Sequence, residues 1–236
     1  MSSRTQSSLS AFVTSLSGFI VSLLVEAFLV GVAWLLLTAT PFHPTIEGLL
    51  GQDPKAAWHM TRAVATVSYI LLTASVAWGL ALSSKIAKDV TPAPVTLDMH
   101  ATLSWLALGL GAYHGFLLLL DTYYHYTLVN ILIPFNGPYR PIEVGLGTLA
   151  LWLMLLASAS FSWRAWLGQK NWRLLHYLTF VAYGLATLHG VLAGTDSREP
   201  GMIILYASSA LLTLFLTNYR LMAGGKQRRQ AAESVA

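Results

Sequence analysis

Four histidines lie inside apolar stretches of this sequence. His100 and His114 share the run LDMHATLSWLALGLGAYHGFLLLLD, Leu97 to Asp121; His176 and His189 share NWRLLHYLTFVAYGLATLHG, Asn171 to Gly190. Ionisable side chains at bilayer depth are costly and usually functional. Neutral imidazole is also a good ligand for iron. On a helix rising about 1.5 Å and turning about 100° per residue, His100 and His114 stand roughly 21 Å apart and within roughly 40° of one face. That places them near opposite faces of a hydrocarbon core about 30 Å thick. Two histidine pairs on two helices predict a cage for two stacked haems, His100 opposite His176 and His114 opposite His189, each pair holding one iron from both sides. The thirteen-residue spacing of His176 and His189 resists this, because it leaves them roughly 140° apart on an ideal helix. Either that helix is locally irregular, with Gly184 as the candidate, or its side chains lean; the residues do not choose.

Other ionisable positions are secondary. Arg62 lies just inside the second apolar run, where a cation wants an anion: a haem propionate or a lipid phosphate. Arg173, one turn before His176, has the same two readings, inner propionates or a membrane anchor. His59 begins the second run and reads as an interfacial residue, with a propionate or substrate contact as the alternative. His43 and His125 fall in loops and read as solvated residues. Glu26, in the middle of the first run, reads as a carboxyl bonded inside the bundle, with a proton path as the alternative.

The elements that must position these groups are membrane helices. Of the 236 residues, 55% are hydrophobic and 10% charged, against about 25% charged in a soluble domain. The expected fold is an all-α bundle of six spans, about 11–40, 59–84, 97–121, 142–163, 172–193 and 202–221. A polar N-terminus, 1–10, precedes it, and a disordered cytoplasmic tail, 222–236, follows. Thr122 to Pro141 carries the apolar patch LVNILIPF and several tyrosines; too short to cross, it reads as an interfacial segment. Tryptophans 34, 58, 78, 163, 166 and 172 fall near span ends, as an aromatic belt requires. Cysteine is absent, which excludes thiolate-held clusters and thiolate-ligated haem. With the N-terminus cytoplasmic, ten Lys and Arg residues fall inside and four outside, so both termini are expected in the cytoplasm of a multi-pass protein of the cell membrane. The net charge of +4 is then topology, and no nucleic-acid partner is expected.

From Trp58 to Leu221 the chain resembles the ferric-reductase-like transmembrane domain family, which includes the membrane domains of ferric reductases and NADPH oxidases. A related member is the haem-binding subunit of a periplasmic methionine-sulfoxide reductase. The resemblance rests on H-x13-H at His100 and His114, W-R-x-L-H at Trp172 to His176, H-x12-H ending in HGVLAGTDS at His189 to Ser197, and FNGPYRP at Phe135 to Pro141. It implies two b-type haems on the four histidines, passing electrons across the membrane, and the odd spacing of the fifth span is a family feature. Two departures matter. No Gly-rich phosphate loop follows Leu221, so electrons are expected from a separate flavoprotein, a bound flavin or a quinol. Leu118 stands where NADPH oxidases carry a further histidine, which argues against superoxide production. The sulfoxide-reductase subunit matches this chain in size but lacks a histidine at the position of His100.

The expected function is electron transfer from a cytoplasmic donor to an acceptor at the outer face, with lipid around the bundle. Its rivals are a sulfoxide-reductase-type subunit, a quinone-linked cytochrome b and, from another class, a histidine-based ion or proton transporter.

Overall fold

A computed structural model describes residues 56–84 and 93–233. Among them all regular structure is helical: α1 (Ala56–Ser83), α2 (Ala93–Leu117) continuing into a 3-10 turn (Leu118–Leu120), α3 (Leu128–Leu132), α4 (Pro141–Ala159), α5 (Arg164–His176), α6 (Leu178–Ala193) and α7 (Pro200–Glu233). Five stretches are long and apolar enough to cross a membrane: Ala56–Ser83, Val95–Leu120, Pro141–Ala159, Arg164–Ala193 and Pro200–Ala223. They correspond to the second through sixth expected spans. The expected first span, with residues 1–10, Glu26 and His43, lies outside the described residues. Large apolar side chains such as Ile204, Leu211, Phe215 and Leu174 face outward, the surface a lipid solvent requires.

α1 and α2 are zipped together by hydroxyls in a heptad. Thr61, Ser68 and Ser75 follow one another at seven-residue steps on α1 and meet His114, Ala107 and His100 at the same steps on α2. Thr61 Oγ1 donates to the His114 carbonyl at 3.1 Å, and Ser68 Oγ donates to the Ala107 carbonyl at 2.8 Å. Ser75 Oγ meets Ser104 Oγ at 2.7 Å, and Trp78 Nε1 donates to the Thr96 carbonyl at 2.9 Å. Without a hydrophobic drive between helices, small residues and side-chain hydrogen bonds hold such a pair, and fully buried Ala107 lets the backbones close. Tyr69, Leu72, Val76 and Leu80 of α1 continue the core toward Tyr183 of α6. The other close pair is α4 with α6.

Three details depart from the expected spans. The fifth is built from α5 and α6 with a break at Tyr177, where the Phe180 amide donates to the Tyr177 carbonyl three residues back. A 3-10 step adds about 20° per residue over an α-helical one, so the break narrows the angle between His176 and His189. Gly184 is ordinary helix inside α6. Ahead of the break, Gly168 at φ 75° interrupts α5, a conformation that suits glycine. Finally, the helical backbone of α7 runs past the expected end at residue 221 to Glu233. Lys, Gln, Arg, Ala and Glu in that segment are good helix formers, and no proline interrupts them.

The segment 121–140 is compact. Buried Asp121 accepts from the amides of Tyr123 and Tyr124 at 3.3 and 3.0 Å, and Thr127 with Asn130 forms a reciprocal cap on α3. Trp152 Nε1 of α4 donates to the Leu132 carbonyl at 2.9 Å, and Thr148 Oγ1 donates to the Ile131 carbonyl at 3.3 Å. Leu128, Val129, Ile133 and Phe135 remain exposed, as an interfacial segment's outer face would be.

Candidate functional site: two histidine pairs

The fold brings the four histidines together in the expected combinations. The rings of His100 and His176 lie 6.1 Å apart, centre to centre, and those of His114 and His189 lie 6.0 Å apart. A metal–imidazole bond is about 2.1 Å and the ring centre lies about 1.1 Å behind the bonding nitrogen, so two rings facing one ion stand about 6.4 Å apart. Each pair therefore has the separation that a single shared metal ion needs.

Hydrogen bonds fix which nitrogen carries the proton in three of the four rings. His114 Nδ1 donates to the Thr61 carbonyl at 2.9 Å, His189 Nδ1 to the Glu143 carbonyl at 2.9 Å, and His100 Nδ1 to the Ser75 carbonyl at 3.1 Å. A carbonyl can only accept, so the ring proton sits on Nδ1 in all three and the Nε2 lone pair is left for a metal. His176 is held differently, by stacking on Trp172 at 5.3 Å and 21°. The indole Nε1 of Trp172 is buried without a hydrogen-bond partner among the described residues. Glycines press on two of the rings. A Cβ at Gly147 would fall 2.8–2.9 Å from three ring atoms of His189, and one at Gly79 would fall 3.0 Å from His100 Cε1.

The two levels differ in their surroundings. His114 and His189 line an open cavity of about 210 Å³. Its inner wall is apolar, with Leu72, Leu151 and Met154, and its mouth carries Trp58, Arg62, Tyr126, Tyr139 and Asp196. Burial pushes the Tyr126 phenol up to about 12, so this group stays neutral at the mouth. His100 and His176 do not belong to that cavity.

Arg62 lines the cavity as expected, but it already has partners. Its Nη1 donates to Asp196 Oδ1 at 2.7 Å and to Thr195 Oγ1 at 3.0 Å, and Nη2 lies 2.8 Å from His59 Nδ1. Its Nε is buried without a hydrogen-bond partner among the described residues, one donor on the cavity wall. His59 thus belongs to the Arg62 cluster, whereas His125 stands exposed in the loop. Arg173 is exposed on α5 and makes no hydrogen bond or ion pair with the His100–His176 pair among the described residues. The cations near that pair are Arg164, whose guanidinium lies 5.5 Å over the Trp172 ring, and Arg220, which donates to Tyr177 Oη at 3.5 Å.

Several supporting groups escape sequence reasoning: the carbonyls of Thr61, Ser75 and Glu143, the two glycines, and Asp196. One signal was present. Thr61 and Ser75 are fourteen positions apart in the second span, the same interval as His100 and His114 in the third. No family model matches the chain, and comparison with curated proteins and with solved structures returns no match.

Proposed function

We propose that this chain is a membrane cytochrome of b type, with one haem between His100 and His176 and a second between His114 and His189. It carries electrons through its bundle from a cytoplasmic donor to an acceptor at the outer face. The observation that supports this most is the double pairing: two imidazole pairs on separate helices, both near 6 Å apart. Among the described residues no three His, Cys, Asp or Glu side chains converge. The described residues therefore offer two imidazoles at each level, which suits an ion whose other positions a macrocycle fills and suits a divalent-ion transporter less well.

Haem supplies a one-electron iron couple at each level. The chain's own residues do the rest. Backbone carbonyls orient three rings, the apolar wall excludes water, and the open Nε of Arg62 offers charge to an outer propionate. The donor in this reading is a separate flavoprotein, a bound flavin or a quinol, and the protein sits in the cell's inner membrane with both termini cytoplasmic.

A second reading, a one-haem subunit of the sulfoxide-reductase kind, is favoured by one feature: the His114–His189 pair lines the cavity and the His100–His176 pair does not. A reduced-minus-oxidised spectrum of the purified protein, with haem quantified per chain, separates them. About two low-spin haems per chain are expected, with His114→Ala and His189→Ala each losing one and keeping the other. One haem per chain establishes the second reading; retention of both haems in either variant overturns the pairing.

A further inference from the structure

The sequence offers Arg173 as the cation for the His100–His176 level, yet that side chain is exposed on α5. The residue before it, Trp172, is the one that reaches the pair. Trp172 and His176 are four positions apart on α5, the interval that sets side chains one above the other. Their rings lie 5.3 Å apart at 21°. Arg164 lies ahead of them, across the interruption at Gly168. Its guanidinium stands 5.5 Å from the centre of the indole ring and 5.2 Å from that of Phe161.

The other three imidazoles are oriented by backbone carbonyls. His176 has no such bond among the described residues, and the indole takes over that task by holding the ring by its face. The stack leaves the indole N–H unspent. Trp172 Nε1 is buried and has no hydrogen-bond partner among the described residues. Buried donors are nearly always paired, so an exception points to an acceptor from outside the chain. An indole N–H can only donate. Arg164 and Arg220, the latter held 5.8 Å over the ring of Tyr177 beside His176, make the surroundings positive. Neither is paired with a carboxylate among the described residues. The acceptor that these groups favour is therefore an anion. The other level follows the same pattern, with Arg62 Nε as a buried donor on the wall of the cavity that His114 and His189 line.

We infer that Trp172 seats the ligand of the His100–His176 level: it holds the His176 ring by stacking and gives its indole N–H to a haem propionate, with Arg164 and Arg220 as countercharge. The assignment rests on the cytochrome reading and moves the inner carboxylate contact from Arg173 to Trp172.

The purified full-length protein tests it, through the rate of haem loss to excess apomyoglobin and through redox titration. His114→Ala, which keeps only the inner level, assigns the signals. Trp172→Phe keeps a stacking ring and lacks the N–H. It should release the inner haem roughly ten- to a hundredfold faster, as the loss of one hydrogen bond to a charged acceptor requires. Its inner level should also titrate at a lower potential, because a less neutralised carboxylate favours the oxidised iron. The outer level should keep its rate and potential, which shows that the variant is folded. Arg173→Gln should match wild type in both readings. Wild-type protein reconstituted with haem dimethyl ester, whose carboxylates are capped, should show the faster inner release with no substitution at all. Wild-type release and potential in Trp172→Phe overturn the assignment, as does inner release of the ester at the rate of haem itself. A wild-type protein that holds no haem removes the cytochrome reading and the assignment together. Two haems per chain with an unaffected Trp172→Phe remove the assignment alone.

Discussion

His189 is held by two groups that carry no side-chain chemistry, the Glu143 carbonyl and the bare Cα of Gly147. Adding one methyl at Gly147 places it against the ring at 2.8–2.9 Å, well inside van der Waals contact, so the ring must tilt or move. Gly147→Ala should therefore lose or distort the spectrum of the His114–His189 level and spare the other, read in the difference spectrum. Gly79→Ala, with its nearest approach at 3.0 Å to a single atom of His100, should give a milder change at the other level. Arg62 allows a different estimate. Its ion pair with Asp196 leaves the two side chains 29% and 41% exposed, so Arg62→Ala should cost about 1 kcal/mol or less in thermal unfolding in detergent. At this scale the sequence is legible where a residue is out of place: an imidazole in an apolar run announces itself. A carbonyl acceptor does not, because every residue has one, and Arg62 could be read as a cation wanting an anion without any hint that Asp196, far along the chain, is that anion.

The fifth span shows what periodicity can and cannot deliver for an element. The 140° mismatch between His176 and His189 leaves open an irregular helix or leaning side chains, and the candidate for irregularity by residue type is Gly184. The break falls at Tyr177, where neither glycine nor proline marks it, beside the stack of Trp172 on His176. Local propensity gives no signal for that place. The two glycines should then respond oppositely to alanine. Gly184 is helical with open space around its Cα, so Gly184→Ala should stabilise by roughly 0.5–1 kcal/mol. Gly168 at φ 75° should make Gly168→Ala cost about 1–2 kcal/mol. Thermal melts of the two variants beside wild type check the pair of signs.

For the whole molecule, composition alone announced a membrane bundle, and five of the expected spans reappear as helices of the right length. The segment between α2 and α4 reads as interfacial because its apolar run is too short to cross. That it also closes over the cavity was not, since this depends on Asn130 and Ile131 reaching the same space as His114. Trp152→Phe removes the indole bond to the Leu132 carbonyl and should cost on the order of 1 kcal/mol, with faster protease cleavage within 121–140 as the readout. One arrangement in the bundle has a wider bearing. The rings of His100 and His114 both rest on carbonyls of α1, a helix that contributes no histidine to either pair. Both levels thus take their orientation from one shared rail. In the proposed cytochrome, a thinner or thicker bilayer that tilts or slides α1 would shift both histidine pairs in concert, so that a difference in potential between two haems held there would survive a change of lipid that shifts each one alone.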